Sequence, residues 1–295
     1  MTHSNIIEHA SSKPPPDLLR SLPTVLTSGW GIRLTAYLVF LLGWQLLALI
    51  APRVPGPGPV LHFLWIEVTS GPHGGVLRGQ FLEHFGVTLY RFGLGLAIAI
   101  TIGALLGILI GSIPFARALL NDTLLVFLAL PAIIWAFLTT MWFGMGPTAP
   151  IITTALTAAP FVAVNVAQGV RAITPDLHWM SAAFHVPWFK RWRHLILPAV
   201  MGYLFAGIRF AIIIGWNGVL LAEWFGAAEG VGWRTRFWYD ANRYRGFVGW
   251  VILFILFIVL LDRFVLTPLQ HHAFRWRDPP KSDTRAAAAT NLPRS

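Results

Sequence analysis

Residues 123–170 form a run of 48 residues without one acidic or basic side chain. A helix of about 20 largely uncharged residues spans the hydrocarbon core of a bilayer, which is about 30 Å thick. The run is therefore too long for one crossing, and the Gly- and Pro-rich residues 144–150 predict a tight turn at its middle. The pattern predicts an all-α integral membrane protein in which this run forms the third and fourth crossings.

Four other apolar segments have a suitable length, at 34–51, 92–116, 195–222 and 246–266, and together they predict six transmembrane helices. Composition agrees, because charged residues make up only 12% of the chain, whereas about 25% of the residues of a soluble domain are charged. This argues against a soluble enzyme. The absence of cysteine excludes disulfide scaffolds, iron–sulfur clusters and thiol nucleophiles.

Six crossings place both termini on one side of the membrane, and the basic residues predict which side. Fourteen of the 22 lysines and arginines fall on the side of the termini and seven on the other, with Arg209 inside a crossing. Although four arginines in the last outer loop oppose the trend, the excess predicts cytoplasmic termini. The net charge of +10 is better explained by this orientation than by nucleic-acid binding.

The expected organisation has three parts, with two special segments inside the second. Residues 52–59, at the start of an outer segment, are expected to be extended because they are rich in proline. The polar tail at the carboxyl end is expected to be disordered. The parts are a cytoplasmic tail at 1–33, a six-helix domain at 34–275 with an outer segment at 52–91 and a cytoplasmic loop at 174–194, and a tail at 276–295.

The chain lacks the motifs of an ATPase or a metalloenzyme. A phosphate-binding loop needs a Gly-Lys-Ser/Thr step, but Lys13, Lys190 and Lys281 follow Ser, Phe and Pro. His271-His272 is the only adjacent histidine pair, and neighbouring positions do not share a helix face. We therefore expect no resident cofactor and no metal site, and we interpret the histidines as interfacial or tail residues.

The cytoplasmic loop after the fourth crossing carries the most information. Thr174 and Pro175 suit a helix start, and Pro187 ends the helix before a basic segment that leads to Pro198. Its apolar stripe has helical spacing and consists of Leu177, Met180, Ser181 and Phe184. Such a helix either lies on the lipid surface or docks into a groove of a cytoplasmic partner.

This loop resembles the Glu-Ala-Ala loop of ABC importer permeases, in which E-A-A is followed by three residues, a Gly, nine residues and I-x-L-P. Residues 179–181 fall on Glu-Ala-Ala, His185 on the Gly, Leu195 on the Ile, and Leu197 and Pro198 on the Leu-Pro end. The spacing matches, whereas the acidic start and the Gly are replaced. Further segments resemble the nitrate/taurine/alkanesulfonate branch, namely 130–132, 141–146, 207–209 and 221–223.

The resemblance implies the type I ABC importer permease fold in a bacterial inner membrane, and it implies a transport subunit rather than an enzyme. A homodimer would form the translocation path, and two copies of a separate ATPase would bind ATP and Mg. An external binding protein would deliver the substrate, a small anion of the nitrate, sulfonate/taurine or organic or aromatic carboxylate class. The residues expected to couple to the ATPase are Leu177, Met180, Ser181, Ala182, Phe184 and His185.

Arg209 is the most informative residue of the fifth crossing. It lies about 16 Å along the helix from Pro198, near mid-bilayer, where an unpaired charge costs at least about 2.5–3.5 kcal/mol. It either attracts an anion along the path or pairs with backbone carbonyls or a carboxylate. Glu223 lies about 21 Å further along the helix and is too far from Arg209 for a direct pair. We expect it to act as a gate residue or to form a structural bond to the outer loop.

Other residues are candidates for the path or for the outer surface. Asn165, Gln168 and Asn217 either line the pore or join helices by hydrogen bonds. Trp216 belongs to an aromatic cluster that either anchors at the interface or forms a vestibule for an aromatic anion. Four arginines are expected to contact the binding protein or to guide an anion inward, namely Arg234, Arg236, Arg243 and Arg245.

Three alternatives stay open at this point. An ATP-independent channel or secondary transporter would share six helices and a buried arginine, but it would not need the loop spacing. A membrane enzyme would need clustered carboxylates or histidines at membrane depth, which 34–222 lacks outside loops and helix ends. An ABC permease for amino acids or metal chelates is the nearest alternative.

Overall fold

The computed structural model describes residues 29–69 and 80–268, and the regular elements of these residues are helical. They include two short π-helical turns, at Trp192–Ile196 and Asp262–Leu266. The helices are α1 Gly29–Ile50, α2 Pro57–Thr69, α3 Gln80–Ser112, α4 Pro114–Ala129, α5 Ala132–Phe143, α6 Thr148–Arg171, α7 Pro175–Ala183, α8 Trp188–Arg191, α9 Leu197–Gly226, α10 Val231–Asp240 and α11 Tyr244–Leu261.

Five of the described helices, α1, α3, α6, α9 and α11, are long and apolar enough to cross a membrane. A sixth span exists if α4 and α5, which meet at 98°, count as one broken crossing. The third crossing is therefore broken within the run and is not one continuous helix. Proline has no N–H and disfavours helix at the preceding residue, so Leu130 is extended and Pro131 starts a new helix.

The outer segment is more helical than expected. The prediction of an extended stretch at 52–59 is wrong at its end, because α2 begins at Pro57, where the missing N–H of proline removes no helical hydrogen bond. The helix α3 begins at Gln80 rather than at residue 92, which places Arg91 inside a helix and not in an outer loop. The tail at 276–295 that was expected to be disordered, His271-His272 and most of the tail at 1–33 lie outside the described residues.

The chain divides into two compact units, one up to Pro59 and one from Val60 onward. The first unit contains α1, which starts at Gly29, five residues before the predicted position. After α1 the chain turns through its proline-rich stretch, and the Trp44 Nε1 donates a hydrogen bond of 2.9 Å to the Pro55 carbonyl. This bond fixes the turn to the end of α1.

Contact between α3 and α6 forms the centre of the second unit. Four glycines of α3 face α6 at positions where a Cβ atom would lie 2.6 Å from an atom of the neighbouring helix, and they are Gly95, Gly103, Gly107 and Gly111. Small residues at four-residue spacing let two membrane helices approach closely. The fully buried Ala99, Ala158, Val162 and Val166 fill the seam between the two helices.

The long helix α9 packs against both α6 and α3 and so completes a three-helix core. The rings of Phe92 and Trp216 stack at 3.8 Å with an angle of 7°, and Phe254 and Phe257 of α11 contact Trp216 edge-on. Gly207 brings α9 against α6, since a Cβ there would lie 3.1 Å from the Asn165 Cβ. The rigid core fixes which side chains of α6 and α9 stay exposed.

Candidate functional site

The loop between α6 and α9 forms a short helix, as its sequence predicts. The helix α7 starts after Thr174, which has extended backbone angles (φ −64°, ψ 140°) and accepts a hydrogen bond from the Leu177 N–H. The Thr174 hydroxyl makes no capping hydrogen bond. Pro175 occupies the first turn, where its fixed φ favours the helix.

His185 ends this helix in a left-handed conformation, with φ of 48°. Its N–H donates to the Ala182 carbonyl and the Val186 N–H donates to the Ser181 carbonyl, both at 3.0 Å. These two bonds form a Schellman motif, which normally contains Gly at this position. The histidine that replaces the Gly of the family pattern therefore keeps the helix end that a Gly would give, in spite of the strain of a positive φ.

The side chains of α7 present an apolar surface outward, and we call the exposed residues Leu177, Trp179, Met180 and Phe184 the apolar knob. The exposed fractions of Leu177, Met180 and Phe184 are 37%, 53% and 76%. Ala182 and His185 are exposed as well. Ser181, expected to contact the ATPase, is instead buried, with 8% of its surface exposed.

A second exposed surface runs along α9. Ala206, Arg209, Ile213 and Asn217 are exposed and recur every three or four residues, so they share one helix face. We call these four residues the α9 stripe. Arg209 lies near the middle of this 30-residue helix, as the sequence predicts.

Polar residues of α6 lie beside the α9 stripe. Gly207 brings Asn165 against α9, and the Asn165 Nδ2 donates 2.8 Å to the Phe161 carbonyl of its own helix. Gln168, one turn away, is exposed. Asn217 likewise bonds its own helix, at the Ile213 carbonyl. The structure thus places Asn165 against α9, and it leaves Gln168 on α6 and Arg209 and Asn217 on α9 exposed.

Trp216 and Glu223, the other two candidates for the path, lie elsewhere. Trp216 is 4% exposed and packs in the aromatic core between α3 and α11. Glu223 is fully buried near the end of α9. Neither side chain contributes to the exposed face of α9, so the structure separates them from the four polar residues described above.

Glu223 is the acceptor of a buried polar cluster. The Arg91 Nη1 donates to Oε1 at 3.0 Å, and the Thr88 hydroxyl donates to Oε2 at 2.8 Å. The Gly232 N–H, at the start of α10, also donates to Oε2 at 3.0 Å. These bonds join Glu223 to α3 and to the start of α10, so α3, α9 and α10 meet at one carboxylate.

Arg91 is a partner of Glu223 that the sequence did not predict, because its position before an apolar run indicated an outer loop. Its second guanidinium nitrogen, Nη2, donates to the Glu229 carboxylate at 2.8 Å, and Nη1 also donates to the Glu229 carbonyl at 2.9 Å. The turn that carries Glu229 needs Gly230, whose φ is 106° and where any Cβ would overlap the Glu223 carboxylate. Thr88 and Arg91 are three residues apart and share a helix face, and this spacing is the sequence signal that could have indicated the cluster.

The four outer arginines differ in their surroundings. Arg234 is mostly buried, pairs with Glu67 at 3.6 Å and lies over the rings of Phe237 and Trp238. It joins α10 to α2, so it is removed from the expected docking surface. Arg236 is partly exposed and bonds Asp240 and the Trp224 carbonyl, whereas Arg243 and Arg245 are exposed.

In the described residues, no group of three or more His, Asp or Glu side chains is placed to hold a metal ion.

Comparison with known proteins gives the family. Residues 99–267, more than half of the chain, match the family described as binding-protein-dependent transport system inner membrane component. The putative aliphatic sulfonates transport permease of Bacillus subtilis is 27% identical over 89% of this chain and 93% of its own length. The bicarbonate transport system permease of Synechococcus elongatus is 31% identical over 79% and 85%, and the nitrate import permease of the same organism is 27% identical over 77% and 84%.

Among solved structures, a chain from the crystal structure of an amino acid ABC transporter with histidines has a TM-score of 0.54. The match covers 65% of this chain and 94% of that chain, at 16% identity, and it supports the fold alone. The five or six membrane-spanning helices, the helical loop after α6 and the matched sequences lead to one conclusion. The chain belongs to the inner-membrane permease components of binding-protein-dependent ABC importers, in the nitrate/taurine/sulfonate branch.

Proposed function

We propose that this chain is the translocation subunit of an ATP-driven importer for a small anion and that it works as a homodimer. Two copies of a separate ATPase bind ATP and Mg, and an external binding protein delivers the substrate. The observation that carries the proposal is the apolar knob on α7, with its Gly-like end at His185, in a chain of the importer family.

Coupling to the ATPase follows from the form of the knob. A short helix with exposed Leu, Met and Phe side chains is more stable when these side chains are buried in a hydrophobic groove of a partner than when they are exposed to water. The helix is held at one end by α6 and at the other by α8 and α9, so movement of the knob moves two helices of the core. ATP-driven closure of the ATPase pair thereby rocks the two permease copies and alternates access to the path.

The anionic class of the substrate rests on Arg209. A charged guanidinium near the middle of a membrane helix cannot face lipid without a large cost. Its exposed position on the α9 stripe supports the proposal that it faces a water-filled path or a second copy of the chain. The named relatives transport aliphatic sulfonates, bicarbonate and nitrate, all of which are small anions.

The outer face completes the assignment. With both termini cytoplasmic, the turn around Glu229 and the helix α10 lie outside. There, Arg243 and Arg245 provide exposed positive charge for an acidic face of the binding protein or for guiding an anion inward, whereas Arg236 is partly exposed and paired with Asp240. Arg234 contributes indirectly, because its pair with Glu67 holds α10 in place.

Co-purification with the ATPase tests the proposal. The full chain is expressed with its ATPase as wild type, as Met180→Glu in the knob and as Met145→Glu. Met145 is 85% exposed in the turn between α5 and α6, at the other end of the core helices, and is a matched control. We expect M180E to lose the ATPase and M145E to retain it. Absence of association with wild type, together with anion flux that needs no ATP, would instead support a channel or secondary transporter.

A further inference from the structure

A cavity of about 480 Å³ lies between the ends of α3 and α6 and the π-helical turn before α9. Most of its wall is apolar and includes Ile108, Val170, Ile173 and Ile196. Arg191 is the one charged residue of the lining. The cavity is separate from the apolar knob and from the α9 stripe, so neither coupling nor translocation accounts for it.

Arg191 is half-buried in the wall of this cavity. Its Nε atom is shielded from solvent and has no hydrogen-bond partner among the described residues. A guanidinium group has five N–H donors in a planar fork that suits phosphate and carboxylate oxygens. Arg191 lines the cavity, so an anionic oxygen bound there would accept hydrogen bonds from its guanidinium group.

The position of the cavity along the bundle indicates which anion. Three candidate membrane spans end at its level, with α3 ending at Ser112, α6 ending at Arg171 and α9 beginning at Leu197. The cavity therefore lies where lipid headgroups meet the hydrocarbon core. Its apolar wall continues along α3 toward the membrane interior at Ile108 and Leu109, which suits an acyl chain rather than a free ion.

Two further arginines, Arg117 and Arg171, lie near this cavity. The Arg117 guanidinium donates to the carbonyls of Ile110 and Gly111, at 3.3 and 3.1 Å, on the α3 side of the cavity. Arg171 is exposed and follows the lining residue Val170. None of the lining residues is acidic, so the site is positive. Basic pockets between membrane helices on the cytoplasmic side attract anionic headgroups.

We infer that this cavity binds an anionic phospholipid, with the headgroup phosphate on Arg191 and an acyl chain along Ile108 and Leu109. The bound lipid joins the turn before α9 to the ends of α3 and α6. The inference does not depend on the transported substrate or on the ATPase, because the cavity is formed by this chain alone.

The test uses the full chain, purified in detergent and stripped of lipid, with binding measured by native mass spectrometry. Dioleoyl-phosphatidylglycerol is compared with dioleoyl-phosphatidylcholine and with inorganic phosphate. The variants are Arg191→Gln, Arg191→Lys, which keeps the charge, and Arg193→Gln, which removes an exposed arginine two residues away. If R191Q fails to fold, Ser112→Trp fills the cavity from its exposed rim and leaves the arginine in place.

We expect phosphatidylglycerol to bind wild type and R193Q with similar affinity, R191K with intermediate affinity because it keeps the charge but not the planar fork, and R191Q or S112W at least tenfold more weakly. Phosphatidylcholine should bind at least tenfold more weakly than phosphatidylglycerol in wild type. The inference is overturned if R191Q and S112W bind phosphatidylglycerol like wild type or if the two lipids bind equally. Displacement of the lipid by millimolar inorganic phosphate would also overturn it, in favour of a site for free anions.

Discussion

Arg91 and Glu223 are 132 residues apart in the chain and form a buried ion pair with 3.0 Å between Nη1 and Oε1. Both side chains are almost fully buried, at 3% and 0% exposed. Thr88 and the Gly232 N–H complete the hydrogen bonds of the carboxylate. The pair fastens α3 to α9 and to the turn before α10, at the end of the bundle that we assign to the outside.

Breaking this pair should destabilise the protein strongly. Arg91→Met leaves a buried carboxylate without its cation, and loss of one partner of a buried pair typically costs about 3–5 kcal/mol. The change should lower the melting temperature of the purified protein and its yield in the membrane. The matched control is Glu229→Gln, since Glu229 binds the same arginine from an exposed position and should cost at most about 1 kcal/mol. Equal effects of the two changes would contradict the account.

The conformation of His185 predicts a graded series at the end of α7. His185→Gly removes the strain of a positive φ, which costs about 1–2 kcal/mol for other residues, but it also loosens the unfolded chain. We expect wild-type ATPase association and a stability gain of up to about 1 kcal/mol. His185→Val should lose association, because a β-branched residue resists this conformation. Wild-type co-purification of H185V would show that the helix end does not matter for docking.

Two glycines of α3 should respond in opposite ways to the same substitution. A Cβ at Gly107 would lie 2.6 Å from the Ala163 carbonyl, whereas Gly93 has no neighbour within 4 Å. Gly107→Ala should destabilise by about 1–3 kcal/mol through overpacking, and Gly93→Ala should be neutral or stabilise by up to about 1 kcal/mol through helix propensity. Melting curves of the two purified variants compare them directly. A result of the same sign in both would contradict the close contact of α3 with α6.

Arg209 should affect transport without affecting assembly. Arg209→Gln removes the charge from the α9 stripe, and we expect anion uptake to fall at least tenfold while ATPase association and melting temperature stay close to wild type. Arg209→Lys should keep part of the uptake, because it keeps the charge. Uptake is measured in proteoliposomes with the complete complex. A loss of association in R209Q would instead assign the residue to helix packing.

Much of the architecture follows from the sequence, because long apolar runs between charges leave few alternatives in a bilayer. The turn at 144–150 and the limits of α6 and α11 agree with the structure within a few residues. The loop helix was also predictable, since Thr174, Pro175 and the apolar spacing are local signals. The break at Pro131 had a local signal as well, but the absence of charge around it suggested a continuous crossing.

The polar cluster around Glu223 was harder to predict. Its partners come from α3 and from the turn before α10, so they meet only through tertiary packing. A count of basic residues assigns Arg91 to the outside of the membrane and gives no indication of a buried carboxylate nearby. For the same reason, sequence spacing did not separate Trp216, which packs in the core, from Asn217, which is exposed.

ATP-dependent uptake is the most direct test of the central claim. Proteoliposomes contain the permease and its ATPase, with the binding protein outside and ATP inside, and the tracers are labelled nitrate, bicarbonate and an aliphatic sulfonate. We predict uptake of at least one anion that requires both ATP and the binding protein, and that M180E abolishes while M145E does not. Uptake that persists without ATP, or that M180E leaves unchanged, would contradict the claim.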